Sequence, residues 1–381
     1  MARVGCCMRT ATYQTKSCQR AWFSSSSTLP CRHLGRTGLT TPILGLGGVG
    51  LGEIYGDVKE ADAVDCVMRA LELGVSLIDT SPNYGNGKSE DRIGTALNSG
   101  VLGSSACSLN ADDLTVVTKC GDAGPQNEGH SPFSKEGVHS SFRTSVKRLQ
   151  PPSGTIDVFL LHDASHADLD EFFSPDVGGF EAFKELRADG SVGATGIGVR
   201  EHDVQLRFIE HPSDLGDVML TVNDWNLVRR YAQPVLLEAA ERNGSGVLNG
   251  GPLYMGLLSG IDPQVSFRQG AVKSSLELPA LIDLAQRARS WCIEHDVDFR
   301  ALALHFAAGP GAPSPPISSS LVGARFASEI EELVESLLLG CVTEVEKFST
   351  AAEEFESAFG AEIKNFNPDA HFYYDKTKIE L

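Results

Sequence analysis

Short apolar runs and amphipathic stretches alternate along most of this chain, and the alternation predicts an architecture. An apolar run at 43–47 precedes residues 60–73, where Ala63, Val67, Ala70 and Leu71 recur at helical spacing. Further apolar runs at 75–79, 114–119, 156–162, 192–198, 218–222, 246–249 and 319–323 are bounded by turn residues and read as strands. Helical patterns over 90–98, 134–149, 180–188, 203–210, 234–242, 281–295, 300–306 and 328–339 fall between and after them. Nearly continuous apolar strands belong to a parallel sheet covered by helices. Eight such units over about 300 residues favour a closed (β/α)8 TIM barrel, one α/β domain, over an open doubly wound sheet.

The flanks of this series read differently. Gly/Thr turn chemistry at 33–40, between short apolar pieces, predicts a small hairpin. Beyond residue 341 the pattern predicts a C-terminal helical extension, with a helix over 344–359 and a polar tail. The string Gly47-Gly-Val-Gly-Leu-Gly52 lacks the spacing and the acidic partner of a dinucleotide fingerprint. It reads instead as a strand end where the backbone passes close to another group.

Composition changes the picture mainly at the amino terminus. The first 36 residues carry Arg3, Arg9, Lys16, Arg20, Arg32 and Arg36, a serine run at 24–27, and no Asp or Glu. That is the signature of an organelle transit peptide, expected here to be mitochondrial, with a plastid address or a disordered cytoplasmic tail as alternatives. The expected organisation is therefore a leader over 1–31, a barrel over 32–340 and a helix and tail over 341–381. Without the six cations of the first 36 residues the remainder carries a formal charge of −24 in place of −18. So acidic a body repels nucleic acid and anionic membrane, and no stretch approaches the ~18 apolar residues of a membrane span. Four of the nine cysteines lie in the leader, and the rest are scattered without Cys-x-x-Cys spacing. This argues for a reducing compartment and against a zinc or disulfide framework.

The candidate chemistry sits at strand ends. Three predicted strands end on ionisable residues, Asp79, Lys119 and His162, and a barrel gathers the C-terminal ends of its strands at one mouth. Tyr84 follows Asp79 on a loop broken by Pro82, Gly85 and Gly87. Each has a bland alternative: a helix cap for Asp79, loop packing for Tyr84, a solvent-seeking Lys119, a satisfied core histidine for His162. One functional reading covers all four. Phenols titrate near ~10, so Tyr84 needs a cation nearby to work at neutral pH. Lys119 supplies it and is expected to lower the phenol's pKa, Asp79 pairs with Lys119, and His162 orients a substrate oxygen. With no nucleophile–base pair and no metal-ligand cluster in the sequence, the remaining chemistry is proton transfer at an oxygen whose carbon exchanges hydride with a nicotinamide cofactor.

Residues 32–340 resemble the aldo-keto reductases. The likeness is carried by Ile78-Asp-Thr-Ser-Pro-Asn-Tyr-Gly85 with Ser89-Glu90, by Val117-Thr-Lys119, by Leu160-Leu-His-Asp163 and by Leu321-Val-Gly-Ala-Arg325. The resemblance implies a catalytic tetrad of Asp79, Tyr84, Lys119 and His162, and an extended NAD or NADP. Its cofactor contacts would fall on Gly48, Asp79, Asn223, Gly251, Pro252, Leu253, Gly323, Arg325, Glu329 and Glu332. Thr195-Gly-Ile-Gly-Val199 and the segment from Val247 to Leu258 are similar to members that oxidise the anomeric carbon of free sugars. In that direction Tyr84 acts as base on the C1 hydroxyl. Tyr84, His162, Trp225 and Tyr254 are the candidate substrate contacts.

Several positions depart from the family pattern. Gly198-Val199 stands where many relatives have Ser-Asn, Val222-Asn223 where they have glutamine, and Gly250 where an aromatic often stacks on the nicotinamide. Glu329 and Leu333 replace the Arg and Asn of NADPH-preferring members, which tilts the expectation toward NAD. The insertion at 310–316 has no counterpart in the pattern. The expected partner is a small sugar or aldehyde, with the protein a monomer or homodimer. The alternatives are a general NADPH-dependent carbonyl reductase and a non-catalytic redox-sensing subunit.

Overall fold

A computed structural model describes residues 29–266, 278–310 and 317–365. The expected leader up to residue 28, residues 311–316 of the 310–316 insertion, part of the 251–278 loop and the tail beyond 365 lie outside the described residues.

Ten strands appear among the described residues. β1 (Cys31–His33) and β2 (Thr40–Pro42) form the expected antiparallel hairpin. The other eight are β3 (Leu44–Gly47), β4 (Leu77–Asp79), β5 (Thr115–Cys120), β6 (Ile156–His162), β7 (Val192–Gly198), β8 (Val218–Val222), β9 (Gly246–Gly250) and β10 (Ile317–Gly323). They close into a parallel barrel in chain order, with β10 pairing back onto β3. This is a (β/α)8 barrel.

The covering helices are α1 (Glu60–Glu72), α2 (Lys88–Leu97), α3 (Lys135–Leu149), α4 (His166–Phe172), α5 (Gly179–Ala188), α6 (His202–Ile209), α7 (Val235–Asn243), α8 (Pro263–Ser266), α9 (Leu278–Glu294), α10 (Phe299–Ala308) and α11 (Ala327–Leu338). A final helix, α12 (Val345–Asn365), extends six residues past the predicted end at 359. α1 shows the local logic. Glu60 and Asp62 lie in its first turn and Arg69 in its last, complementing the helix dipole, while Ala63, Cys66, Val67, Ala70 and Leu71 bury one face. Gly74, at φ 84°, then turns the chain toward β4. α4, whose Ser165 and Asp168 form a capping box, is not among the helices that the apolar pattern predicts.

The apolar residues divide into layers. Leu77, Val117, Val158, Leu160, Ala194, Val218, Leu220, Leu248 and Leu321 fill the barrel interior together with Leu34 of the hairpin turn. The hairpin plugs the bottom of the barrel. Arg36 N–H donates to Gly244 O at 2.9 Å, and the Arg36 guanidinium pairs with Asp214 and Asp217. A larger layer packs the strands' outer faces against the helices. A satellite cluster joins α9, α10 and α12 to the 227–258 region through Leu227, Tyr254, Leu258, Leu284, Phe348 and Phe355.

Candidate active site

Side chains of a barrel strand alternate between interior and exterior. Leu77, Val117 and Leu160 point inward, so the residues two places on, Asp79, Lys119 and His162, also point inward, one layer nearer the C-terminal mouth. Ladder pairing staggers neighbouring strands by two residues, with Asp79 opposite Val117 and Lys119 opposite Leu160. Period-two alternation thus brings together three groups that lie 83 residues apart at the extremes of sequence.

The Lys119 ammonium is fully buried and donates to Asp79 Oδ1 at 2.7 Å, to Thr80 O at 2.7 Å and to the Tyr84 phenol oxygen at 3.2 Å. Burial pushes the Asp79 carboxyl above its usual range, and the adjacent ammonium opposes that rise. The loop bearing Tyr84 is pinned at both ends. Thr80 Oγ1 donates to Ser89 Oγ, which donates to Gly48 O, and Glu90 is buried against Thr118 and Arg148. The glycine string is where two backbones touch: a Cβ on Gly52 would lie 2.5 Å from the Tyr84 carbonyl carbon, and one on Gly85 2.3 Å from Gly52 O. Only glycine allows this approach, which sets Tyr84 over the mouth.

One expectation fails here. The phenol of Tyr84 is raised well above its ordinary value rather than lowered. Burial is the main cause, and the carboxylates of Asp79, Asp163 and Asp122 add to it. The Lys119 charge is already committed to Asp79, so Tyr84 holds its proton in the free protein.

His162 stands edge-on to the Tyr84 ring, with centroids 6.0 Å apart. Its Nδ1 faces Asp122 Oδ2 at 2.7 Å. Asp122 also accepts from Ser81 Oγ at 3.1 Å and from Asn83 Nδ2 at 3.3 Å. Asp122 is not among the residues that the strand-end pattern or the family motifs single out. Its signal was a carboxylate three residues past the strand-end lysine, after Gly121, whose φ of 102° folds the chain back over His162. The ligand-capable atoms of Asp122, His162 and Asp163 lie within 4.8 Å of one another. Chain spacing gave no sign of that cluster, and hydrogen bonds inside the protein already engage His162 Nδ1 and both Asp122 oxygens.

On the opposite rim, Asn223 adopts φ 59° and its N–H donates to Gly250 O at 2.8 Å. Its side-chain Oδ1 is a buried acceptor with no hydrogen-bond partner among the described residues. A Cβ on the neighbouring Gly251 would meet that oxygen at 2.2 Å. Pro252 is buried, Leu253 packs between the outer clusters, and Gly48 is held by a bond from its N–H to Asp79 O. Gly323 ends β10 with nothing within 4 Å of the place a Cβ would occupy. Arg325 N–H then donates to Glu329 Oε2 at 2.8 Å, and its guanidinium lies 3.5 Å from the same carboxylate. Glu332 does not join this pair and instead binds Arg300 of α10 at 2.8 Å. An orphaned buried acceptor at one end and an open strand end before a helix N-terminus at the other fit an extended dinucleotide. The carboxamide would meet Asn223, and the phosphates Gly323 and the start of α11.

Two expected substrate contacts fall elsewhere. Trp225 is buried in the outer layer and stacks on Phe306 of α10, with ring centroids 5.2 Å apart. Tyr254 is wholly buried in the satellite cluster. Both lie past the end of their strands, where interior–exterior alternation no longer decides direction.

The model of the Aldo/keto reductase family matches residues 43–347, and the chain belongs to that family. It is an NAD(P)-dependent oxidoreductase. It is 31% identical to L-galactose dehydrogenase of Arabidopsis thaliana over 328 residues, covering 84% of this chain and 91% of that one. It is 30% identical to pyridoxal 4-dehydrogenase of Microbacterium luteolum, over 80% of this chain and 91% of that one. With D-threo-aldose 1-dehydrogenase of a Pseudomonas species it shares 28% identity, over 75% of this chain and 84% of that one.

Proposed function

We propose that the protein oxidises the anomeric carbon of a free aldose, of the L-galactose, L-fucose or D-arabinose kind, to a lactone, with NAD as the favoured cofactor. The observation carrying this reading is its similarity, over three quarters or more of its length, to two relatives named for the oxidation of aldoses. The tyrosine, lysine, aspartate and histidine at the barrel mouth support it. In this reading His162 orients the C1 hydroxyl, and Tyr84, once it has given up its own proton to solvent at alkaline pH, takes the proton of that hydroxyl. Lys119, held by Asp79, stabilises the Tyr84 phenolate until that proton arrives. Oxidised nicotinamide, when bound, supplies the hydride acceptor. Loss of hydride from C1 and of a proton from its oxygen leaves the lactone carbonyl, so atoms and electrons balance with one reduced cofactor per turnover.

A second reading draws on the raised Tyr84 phenol. A tyrosine that keeps its proton beside an ammonium is ready to donate to a carbonyl oxygen, which suits a general aldehyde or ketone reductase. The full chain, given NAD⁺ and NADP⁺ separately with the three sugars at mildly alkaline pH, separates the two. Sugar turnover with NAD⁺ that falls at least ~100-fold in Tyr84→Phe supports aldose oxidation. Oxidation of none of the sugars, together with NADPH-dependent reduction of simple aldehydes, overturns it.

A further inference from the structure

The Asp122–His162 pair is a second carboxylate–cation couple beside Tyr84, and neither the motifs nor the strand-end pattern accounts for it. We infer that Asp122 is a positioning residue that fixes the His162 ring and tautomer, so that Nδ1 always carries a proton and Nε2 alone exchanges one at the substrate oxygen. The inference rests on the oxidoreductase reading of this same site.

The chemistry follows from the bond. A carboxylate only accepts, so an imidazole nitrogen 2.7 Å from Asp122 Oδ2 must be the protonated one. The remaining nitrogen, Nε2, is then the acceptor of the neutral ring and the donor of the charged one. Asp122 is 9% exposed and takes hydrogen bonds on both oxygens, from His162 and Ser81 on Oδ2 and from Asn83 on Oδ1. Such a carboxylate stays ionised, and its charge is held below the usual carboxylate range by His162 and Ser81 against the cost of burial. Ser81 and Asn83 belong to the loop that bears Tyr84. One carboxylate therefore sets the histidine and steadies the tyrosine's loop together.

The groups facing His162 are Asp122, Asp163, Lys119, Asp79 and Tyr84. Burial lowers the imidazole's affinity for a proton, and Lys119 lowers it further. Asp122 first, then Asp163, overcome both, and the net shift is upward. Removing the Asp122 charge must therefore move the titration down. At neutral pH a larger share of the rings would be uncharged and free to choose either tautomer.

The test is nitrogen-15 NMR of histidine-labelled full chain, alongside pH profiles of turnover with the best sugar or aldehyde. In the unaltered protein His162 Nδ1 is expected to stay protonated at every pH, while Nε2 titrates above the ordinary imidazole value. In Asp122→Asn the titration shifts to lower pH, and both tautomers appear. The limb of the pH–turnover profile assigned to His162 moves with it, and kcat falls on the order of 100-fold. Asp122→Glu is expected to restore part of the shift and part of the rate. Asn83→Ala removes only a loop bond and should leave the His162 titration in place, whereas Ser81 Oγ also lies 3.5 Å from His162 Nδ1 and is left intact. An unmoved titration in Asp122→Asn overturns the inference, as does an equal shift in Asn83→Ala, which would make the carboxylate a loop clamp alone. Because the NMR reads His162 without substrate, its result holds even if no sugar or aldehyde is turned over. That failure would strike the functional reading instead.

Discussion

The two rims of the barrel mouth are built on opposite plans. The rim formed by β4, β5 and β6 is saturated: Lys119 makes three hydrogen bonds, Asp122 three, and Glu90 and Ser89 lock the loop behind Tyr84. The rim formed by β8, β9 and β10 is open. Asn223 Oδ1 has no partner among the described residues, Gly251 admits no side chain, and Gly323 faces clear space. Groups that move protons need fixed neighbours, because their pKa values and geometry are set by what touches them. Groups that grip a cofactor keep their bonding capacity for the ligand. The saturated rim satisfies its polar atoms inside the protein, and the open rim reserves them.

If that contrast is right, breaking the saturated rim should cost the fold as well as the reaction. Lys119→Met leaves Asp79 buried without its ammonium partner. Removing one partner of a buried ion pair costs about 3–5 kcal/mol, and a loss of that size should appear in denaturant unfolding. Turnover should fall at least ~1,000-fold at once, since the phenol loses its neighbouring cation. A variant as stable as the parent would mean that Asp79 tolerates burial alone, and the ion pair would lose its structural importance.

The open rim should give the reverse pattern. Asn223→Gly removes the orphaned acceptor while suiting the φ of 59° at that position. Stability should hold or rise slightly, because a buried unsatisfied group costs about 1–3 kcal/mol. Affinity for the nicotinamide cofactor should drop roughly tenfold, the value of about one good hydrogen bond, as read by quenching of protein fluorescence. Affinity unchanged beside raised stability would show Asn223 to be strain without a ligand to justify it.

The same contrast explains what the chain disclosed in advance. Barrel and strand ends are periodic features: apolar runs end on Asp79, Lys119 and His162, and alternation then dictates that all three face the mouth. Most helix ends shifted by a residue or two, α9 began three residues early, α12 ran six residues long, and α4 was missed, since its seven residues are too few to display a period. Contacts made by loops were harder. Asp122 reaches His162 only because Gly121 turns the chain at φ 102°, and nothing in the strand pattern reports that turn. Trp225 and Tyr254 failed for the converse reason. Beyond a strand's last residue, packing against α10 and α12 decides direction, and both rings went to the outer layers. The raised Tyr84 phenol escaped because burial and the carboxylates Asp79, Asp163 and Asp122 set it, and only the folded site brings them together.

The smallest effect concerns the choice of nucleotide, where the open rim is least open. Glu329 was expected to repel a 2′-phosphate, yet its carboxylate accepts the Arg325 N–H at 2.8 Å and lies 3.5 Å from the guanidinium. Pairing offsets part of the acid's charge and also ties down the cation that a 2′-phosphate would seek. Acid and engaged cation together still run against NADP. Glu329→Gln keeps an acceptor for the Arg325 N–H but removes the charge and frees the guanidinium. The ratio of kcat/KM for NADP⁺ over NAD⁺ should then rise, by no more than about fivefold, because a pair this exposed is worth at most ~1 kcal/mol. The rise should shrink at high salt, where screening already weakens the pair. A ratio that stays constant in the variant and across salt would assign Glu329 to holding the start of α11, and the origin of nucleotide preference would have to be sought elsewhere on the open rim.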